Sequence, residues 1–459
     1  MARDVAEHGV SAIRRLHLNT NVTGTGRHPA GWRTLDNPKS IVDLGFFTAI
    51  ARIAERGKLD AVFLSDALAL RGHAHGPAQS LEPTVLLTAL AGVTQHVGLI
   101  GTASTTFNDP FNLARRFASV DHLSAGRVAW NAVTTYDPQA AANFSFGEAP
   151  DKPARYARAA EFVDVVLKLW DSWEDDALVA DRASGLYADP ARVHAIAHHG
   201  PHFQVRGPLN LPRSPQGRPV LVQAGGSEAG VALAARDADA VFTAQTTFEG
   251  AQAFYRDIKA RAVAHGRDPD HLLVLPGLYP VIGGTLAEAR RRKAGMDALL
   301  DRGAELAKFA GALGVAPADL RLDEPLPYDL IDSGARSDVS GGFIRSTVLL
   351  ARGENLTVRD LLDRNPGAHR MLVGTPETIA DDIERWFTGR AADGFNLNAD
   401  VFPSGLADFV DHVVPLLQRK GIFRRDYEGT TLREHYGLPR PPSRYADAQA
   451  GIVAADAVS

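Results

Sequence analysis

Lys58-Leu59-Asp60-Ala61-Val62-Phe63-Leu64-Ser65-Asp66 is the stretch that decides how the chain is read. Leu59 to Leu64 is a short apolar run closed by two polar residues, the pattern of a strand buried on both faces. Ahead of it, Ile41, Leu44, Phe47, Ile50 and Ile53 recur at helical spacing. Asn37-Pro38 offers a cap followed by Pro at the first helical position, and Gly57 offers a stop. Behind it, a helix pattern from about Glu82 to His96 leads into a second strand, Val97 to Thr102.

The rhythm of strand, turn and helix continues in both directions. Leu16-His17-Leu18 lies in a short strand followed by a Gly-rich loop, Thr23 to Arg33. Downstream, Pro110 to Leu123 reads as a helix, Val128 to Val133 as a strand, and Arg155 to Trp173 as an amphipathic helix. Then come strand Val220 to Gln223, helix Glu228 to Arg236, strand Ala240 to Thr243, helix Phe248 to His265 and strand Leu272 to Ile282. Phe395 to Leu397 is the last strand, and Leu406 to Leu417 the last helix. Parallel neighbours need a crossover, so this alternation implies a parallel α/β sheet. Eight units make a (β/α)8 barrel, five or six a doubly wound sheet. Asp66, Ser104, Thr134 and Thr243 close strands, where barrel enzymes keep their sites; polar residues also mark strand ends without any function.

Composition narrows the function. The chain has 459 residues and no Cys, which excludes disulfides, thiolate metal sites, iron–sulfur clusters and a cysteine nucleophile. A net charge of −5 spread along the chain gives no basic field for nucleic acid. The N-terminus shows no apolar core of a signal peptide and no window approaches a membrane span, so a cytoplasmic protein is expected. Two regions break the alternation, around 170–219 and 311–349, and are expected to be long insertions; residues 440–459 are expected to form a weakly ordered tail after a single domain, 1–439.

Local motifs leave several chemistries open. His73 and His75, and His198, His199 and His202, are histidine groups without a carboxylate at matching spacing; the expectation is no metal. Gly225-Gly226-Ser227 lacks the second Gly of a nucleophile elbow, and no P-loop lysine follows a Gly-rich turn. A strand running into two glycines, a hydroxyl and a helix start suits an anion, and equally suits an ordinary turn with Ser227 as N-cap.

The pieces together resemble the nitrilotriacetate, dibenzothiophene-sulfone and pristinamycin-synthase monooxygenases of the bacterial-luciferase-like superfamily. The resemblance rests on Gly31-Trp32-Arg33, the stretch Glu55 to Asp66, Ala114-Arg115-Arg116-Phe117-Ala118-Ser119 and Leu123 to Thr134. It continues through Ala154 to Phe162, Leu169-Trp170-Asp171-Ser172-Trp173, Val205 to Leu209, Arg213 to Gly225 and Thr431 to His435. It implies a (β/α)8 TIM barrel that binds FMN as FMNH2, delivered by a separate NAD(P)H:flavin reductase, and uses O2 to oxygenate a small organic substrate through a flavin peroxide. Homodimers or homotetramers are common among such proteins. An F420-dependent oxidoreductase, or a non-catalytic flavin-binding relative, would share the fold.

Carried over by position, Asp66, Ser104, Thr105, Asn131 and Thr134 are expected at the flavin ring and ribityl chain. Tyr156, Gly226 and Ser227 are expected at the phosphate, and Phe63 and Phe242 around the isoalloxazine. Where relatives often carry His, this chain has Arg27 and Lys152; Lys152 can still meet phosphate as a point charge. His28 is the side-chain candidate for proton transfer, against the alternative of a loop His bonded to backbone. Asn19, Thr20 and Asn21 in the first strand suggest a pocket more polar than that of sulfone-oxidising relatives, with Arg27 facing an anionic or carbonyl-bearing substrate.

Overall fold

Eight parallel strands close on one another. The computed structural model describes residues 14–70, 76–77, 81–145, 151–332, 341–364 and 369–445. The barrel strands are β1 (His17–Val22), β2 (Ala61–Leu64), β3 (Gly98–Ser104), β4 (Val128–Val133), β5 (Val220–Ala224), β6 (Ala240–Thr243), β7 (Leu273–Ile282) and β8 (Gly394–Leu397). Each pairs in parallel with the next, and β8 closes onto β1 with Leu18 opposite Phe395. The doubly wound alternative is thereby set aside.

Three acidic residues set the register of this closure. Asp60, Asp239 and Asp393 each stand one residue before a strand, β2, β6 and β8. Their carboxylates accept the backbone N–H of Leu18, Leu221 and Val274 at 2.7, 2.8 and 2.9 Å, the second residue of β1, β5 and β7. Each Asp N–H also donates to the carbonyl of that same residue. Basic partners meet the buried charges: Arg424 and His17 for Asp60, Arg433 for Asp239, Lys259 and Arg14 for Asp393. Burial would raise these carboxyls, but the cations and hydrogen bonds hold all three below the ordinary Asp value. Leu432, Tyr436 and Leu438 pack with Ala61, Ile100, Ala129 and Val220 in the barrel interior, and the Tyr436 hydroxyl donates to Asn19 Oδ1 at 2.8 Å.

Helix boundaries follow their caps. The first long helix is Leu44–Arg56, capped by Asp43, whose carboxylate accepts from Gly45 N at 2.8 Å. Asn37, expected to cap it, instead accepts from Lys39 N in a turn ahead of Ser40–Val42. The helix expected to reach His96 is Pro83–Ala91 and stops at Gly92. The helix expected at Arg155 to Trp173 is Lys152–Trp170, because Asp151 caps it three residues earlier with Pro next to Lys152. The helix expected at Leu406 to Leu417 is Ser404–Asp408, one wide turn at Phe409–Val413, then Val414–Arg419.

The stretch around 311–349 is more helical than its composition suggests. Arg302–Leu313, Tyr328–Asp332, Gly341–Glu354 and Val358–Asp363 are helices, and Phe309, Leu313, Leu326, Val358 and Leu361 form a core of their own. A strand absent from the expectation, Arg370–Gly374, pairs with Leu278–Ile282, the part of the ten-residue β7 that runs beyond its partners in the barrel. Between β4 and β5 lies a small antiparallel pair, His198–His199 with Gln204–Val205. Of the expected tail, Ser443 is buried and Arg440 pairs with Asp175. Residues 446–459, like His73 and His75, lie outside the described residues.

Candidate active site

The C-terminal ends of β2 to β6 surround a cavity of about 390 Å³. Phe63, Asp66, Thr102, Ser104, Asn131, Thr134 and Phe242 line it. Phe63 and Phe242 meet edge to face, centroids 5.5 Å apart, and give the cavity its apolar wall. The polar wall is built by hydroxyls and amides on β3 and β4. Ser104 Oγ accepts from Thr106 N–H at 3.1 Å and from the Thr135 hydroxyl at 2.8 Å, so its own proton is the capacity left to it. Asn131 Nδ2 donates to Thr102 Oγ1 at 2.9 Å, while its Oδ1 is buried with no partner among the described residues. Gln223 Oε1 is in the same condition. Buried acceptors without donors are costly, about 1–3 kcal/mol each, and Asn131 Oδ1, on a residue of the cavity wall, suits a ligand that carries a donor.

Tyr156 and Ser227 stand 71 positions apart in the chain, yet their hydroxyl oxygens lie 2.8 Å apart. Ser227 caps helix Glu228–Asp237, accepting from Gly230 N at 3.3 Å, and follows Gly226 at the end of β5. Tyr156 lies on Lys152–Trp170, and exposed Lys152 stands one turn earlier on the same face. Two hydroxyls, a helix N-terminus and a nearby ammonium are the donors an anion requires.

Other expected residues take different positions. Thr105 is buried, and its hydroxyl donates to Val133 O at 3.2 Å instead of lining the cavity. Asp66 lines the cavity and accepts from Ala67 N at 2.8 Å. His28 is buried, and both ring nitrogens are engaged. Nδ1 accepts from Ala30 N at 3.1 Å, so Nε2 carries the proton and donates to Asp297 at 3.1 Å. Burial would raise Asp297, but the bonds from His28 and Lys293 leave it below the ordinary Asp value.

The first loop is stitched to the exit of β8. Arg27 N and His28 N donate to Ala399 O and Asp400 O, and Phe402 N donates to Thr25 O. Gly26 makes this possible: its φ is +134°, and a Cβ there would fall 2.3 Å from Asp400 O. The first-strand asparagines do not supply the pocket's polarity. Asn19 and Asn21 donate to Asn396 and Asn398 at 3.0 and 2.9 Å, and their oxygens accept from Tyr436 and Ser65. Their amides are spent on holding β1 to β8.

Sequence reasoning missed Tyr279 on β7 and His369, just before the unexpected strand. The His369 ring stacks on Phe242 at 5.1 Å, and a Cβ on Gly277 would fall 2.2 Å from its Nδ1. The one local signal was Tyr279 itself, a hydroxyl inside an otherwise apolar ten-residue strand. Among the described residues, no three His, Asp or Glu side chains converge as a metal set. His198 instead pairs with Glu161 at 3.0 Å. No helix among the described residues is long and apolar enough to cross a membrane.

The open end of the parallel barrel thus carries an aromatic wall, a buried amide oxygen without a partner among the described residues, and a separate hydroxyl pair at a helix N-terminus. Residues 22–394 match the luciferase-like monooxygenase family, and the chain belongs to it. It is 44% identical to nitrilotriacetate monooxygenase component A of Aminobacter aminovorans, over 95% of this chain and 99% of that one. It is 43% identical to N-acetyl-S-(2-succino)cysteine monooxygenase of Bacillus subtilis (strain 168), with the same coverage. The structure of EDTA monooxygenase from Chelativorans sp. BNC1 superposes with a TM-score of 0.81 at 39% identity, covering 94% of this chain and all of that one. The chain is a two-component flavin-dependent monooxygenase, an oxidoreductase that incorporates oxygen.

Proposed function

We propose that the cavity at the ends of β2 to β6 holds reduced FMN, delivered by a separate NAD(P)H:flavin reductase, with the phosphate at Tyr156 and Ser227. The single observation that carries this reading is the pairing of those two hydroxyls at a helix N-terminus, next to a cavity whose wall carries the orphaned acceptor Asn131 Oδ1. When bound, reduced FMN supplies the electrons that activate O2 for insertion into a small organic substrate.

The residues present fit that group. Asn131 Oδ1 and Gln223 Oε1 are buried acceptors for ring or ribityl donors, and Ser104 offers a hydroxyl proton. Phe63 and Phe242, in contact with each other, would form one apolar wall for the flat ring. Tyr156, Ser227, the backbone at Gly226 and the Lys152 charge hold the phosphate. Asp66 lines the cavity, where its carboxylate would accept hydrogen bonds from ribityl hydroxyls. Water exclusion by the aromatic wall keeps the reactive oxygen from being lost to solvent. His28 acts by position: its bonds to Ala30 and Asp297 hold the first loop over the site, which keeps Arg27 in place.

The test is an anaerobic titration of the purified protein with reduced FMN and with reduced F420, followed by turnover under 18O2 and mass measurement of products. Tight binding of FMN and one 18O atom per product molecule are expected. Binding of F420 alone, with no labelled product, would overturn the reading.

A further inference from the structure

Arginines elsewhere inside this protein have partners: Arg213, Arg292, Arg424 and Arg433 hold Asp171, Asp400, Asp60 and Asp239. Arg27 does not. Its backbone is fixed by Ala399 O, its side chain is half-buried, and its guanidinium makes no hydrogen bond or ion pair among the described residues. The groups that feel its charge are Tyr279 and His369. The Tyr279 hydroxyl and His369 Nδ1 are both buried without a hydrogen-bond partner among the described residues. Geometry brings these elements together: Tyr279 packs with Val401, whose Cα would lie 2.6 Å from a Cβ on Gly26, next to Arg27, and His369 Nδ1 lies against Gly277, two residues before Tyr279 on the same face of β7. His369 stacks on Phe242, which meets Phe63 edge to face, and it also lines a neighbouring cavity of about 380 Å³.

We propose that Arg27, Tyr279 and His369 form an anion subsite that takes a carboxylate group of the substrate. This rests on the oxygenase reading and names the substrate class for it. The charge balance favours a carboxylate. Burial, with the nearby arginine, lowers the His369 pKa to about 3, so the ring is neutral, and burial keeps the Tyr279 hydroxyl protonated. Asp400 and Asp297, which also act on Tyr279, are paired with Arg292 and Lys293, and the other charges lining the neighbouring cavity are paired as well. The guanidinium is then the one unmatched charge, which a carboxylate cancels and a phosphate dianion exceeds. The phosphate of the cofactor has its own donors at Ser227 and Tyr156. A planar fork such as Arg27 presents two parallel N–H donors, the geometry that matches a carboxylate. An uncharged substrate would leave that charge unmatched and is discriminated against.

The experiment uses the full-length protein, with and without FMN, and titrates succinate, the neutral analogue succinamide, and inorganic phosphate by calorimetry. Wild type and Arg27→Met, Arg27→Lys and Tyr279→Phe are compared, and FMN affinity is measured separately by fluorescence. Succinate should bind wild type at least tenfold more tightly than succinamide or phosphate. Arg27→Met should abolish that preference, Arg27→Lys retain part of it, and FMN affinity change by less than threefold. The Arg27→Met melting temperature should not fall, because the guanidinium has no partner in the protein to lose. Succinate failing to bind wild type, or binding Arg27→Met equally well, overturns the proposal. A loss of FMN affinity in Arg27→Met with succinate unaffected assigns the arginine to the flavin and overturns it too. Failure of wild type to bind FMN while succinate still binds would sink the oxygenase reading and leave the subsite standing.

Discussion

Tyr156→Phe separates the phosphate corner from everything else the site does. The phenol oxygen lies 2.8 Å from Ser227 Oγ, and the other wall of this corner is the start of helix Glu228–Asp237. A hydroxyl donating to a charged phosphate contributes about 1.5–3 kcal/mol, because the acceptor is ionised and partly desolvated. At about 1.4 kcal/mol per factor of ten, its removal weakens FMN binding roughly 10- to 150-fold. Riboflavin has the same ring and ribityl chain without the phosphate, so its affinity should change less than about twofold on the same principle. Ser227→Ala should show the same selective loss, together with a fall in stability of about 1 kcal/mol, since it also removes a helix cap. Because the two hydroxyls touch, the double variant should lose less than the sum of the singles. Fluorescence quenching under air for the oxidised flavins, and anaerobic titration for the reduced ones, reads all four proteins. Equal losses for FMN and riboflavin would show that the hydroxyl pair merely braces the barrel rim, and unchanged affinities would place the phosphate elsewhere.

Asp239→Asn leaves Arg433 buried without its counter-ion and should cost about 3–5 kcal/mol, seen as a large fall in melting temperature; an unchanged melting point would mean the pair is not formed in solution. Gly277→Ala puts a methyl group where the His369 ring lies and should cost about 1–3 kcal/mol by overpacking, with loss of the succinate preference and retention of FMN binding. The pH dependence follows from His435, whose pKa burial lowers from 6.5 to about 4. A depressed His pKa means the unfolded chain binds the proton first, so stability is full above about pH 6.5 and falls by up to about 3 kcal/mol as pH drops to 4. Denaturation midpoints in His435→Gln should show a shallower acid loss than wild type; identical slopes would refute the assignment.

Much of the barrel is legible because its strands are largely buried. Val128–Val133 and Ala240–Thr243 coincide with the strands expected, since a strand covered on both faces is mostly apolar, with Asn131 and Thr243 as the polar exceptions. Helix starts were harder to place. Asn37 fits the cap rule but closes a turn, while Asp43 and Asp151 make the caps, their carboxylates accepting from the N–H groups of Gly45 and Ala154. Arg370–Gly374 was invisible because only Gly374 is buried and its partner is the overhang of β7. The Ser227 half of the proposed phosphate corner was legible locally, as a helix cap after two glycines, whereas Tyr156, in the second turn of its helix, was expected only from the family resemblance. The Arg27 subsite could not be assembled in advance. It depends on a first-loop residue, a strand interior and a residue beside an unrecognised strand arriving at one point.

One repeated signal did lie in the sequence. Asp60-Ala61-Val62-Phe63 and Asp239-Ala240-Val241-Phe242 are the same four residues, 179 positions apart. Each Asp clamps the second residue of the preceding strand through both its carboxylate and its N–H, which fixes the height of the strand it precedes. Three residues later, at equal height, stand Phe63 and Phe242, and their rings meet across the barrel. The same interval from Asp393 reaches Asn396, which holds β8 to β1 through Asn19. The clamps lie at the closed end and the aromatic pair at the open one, so the depth of the cavity is set by charges that never touch a ligand. Phe242 then carries the stacked His369 ring, whose Nδ1 lies against Gly277 of β7. The register chosen at Asp239 is therefore transmitted to the substrate side of the site through packing alone, which is why a conservative change at the base of β6 should be felt at its mouth.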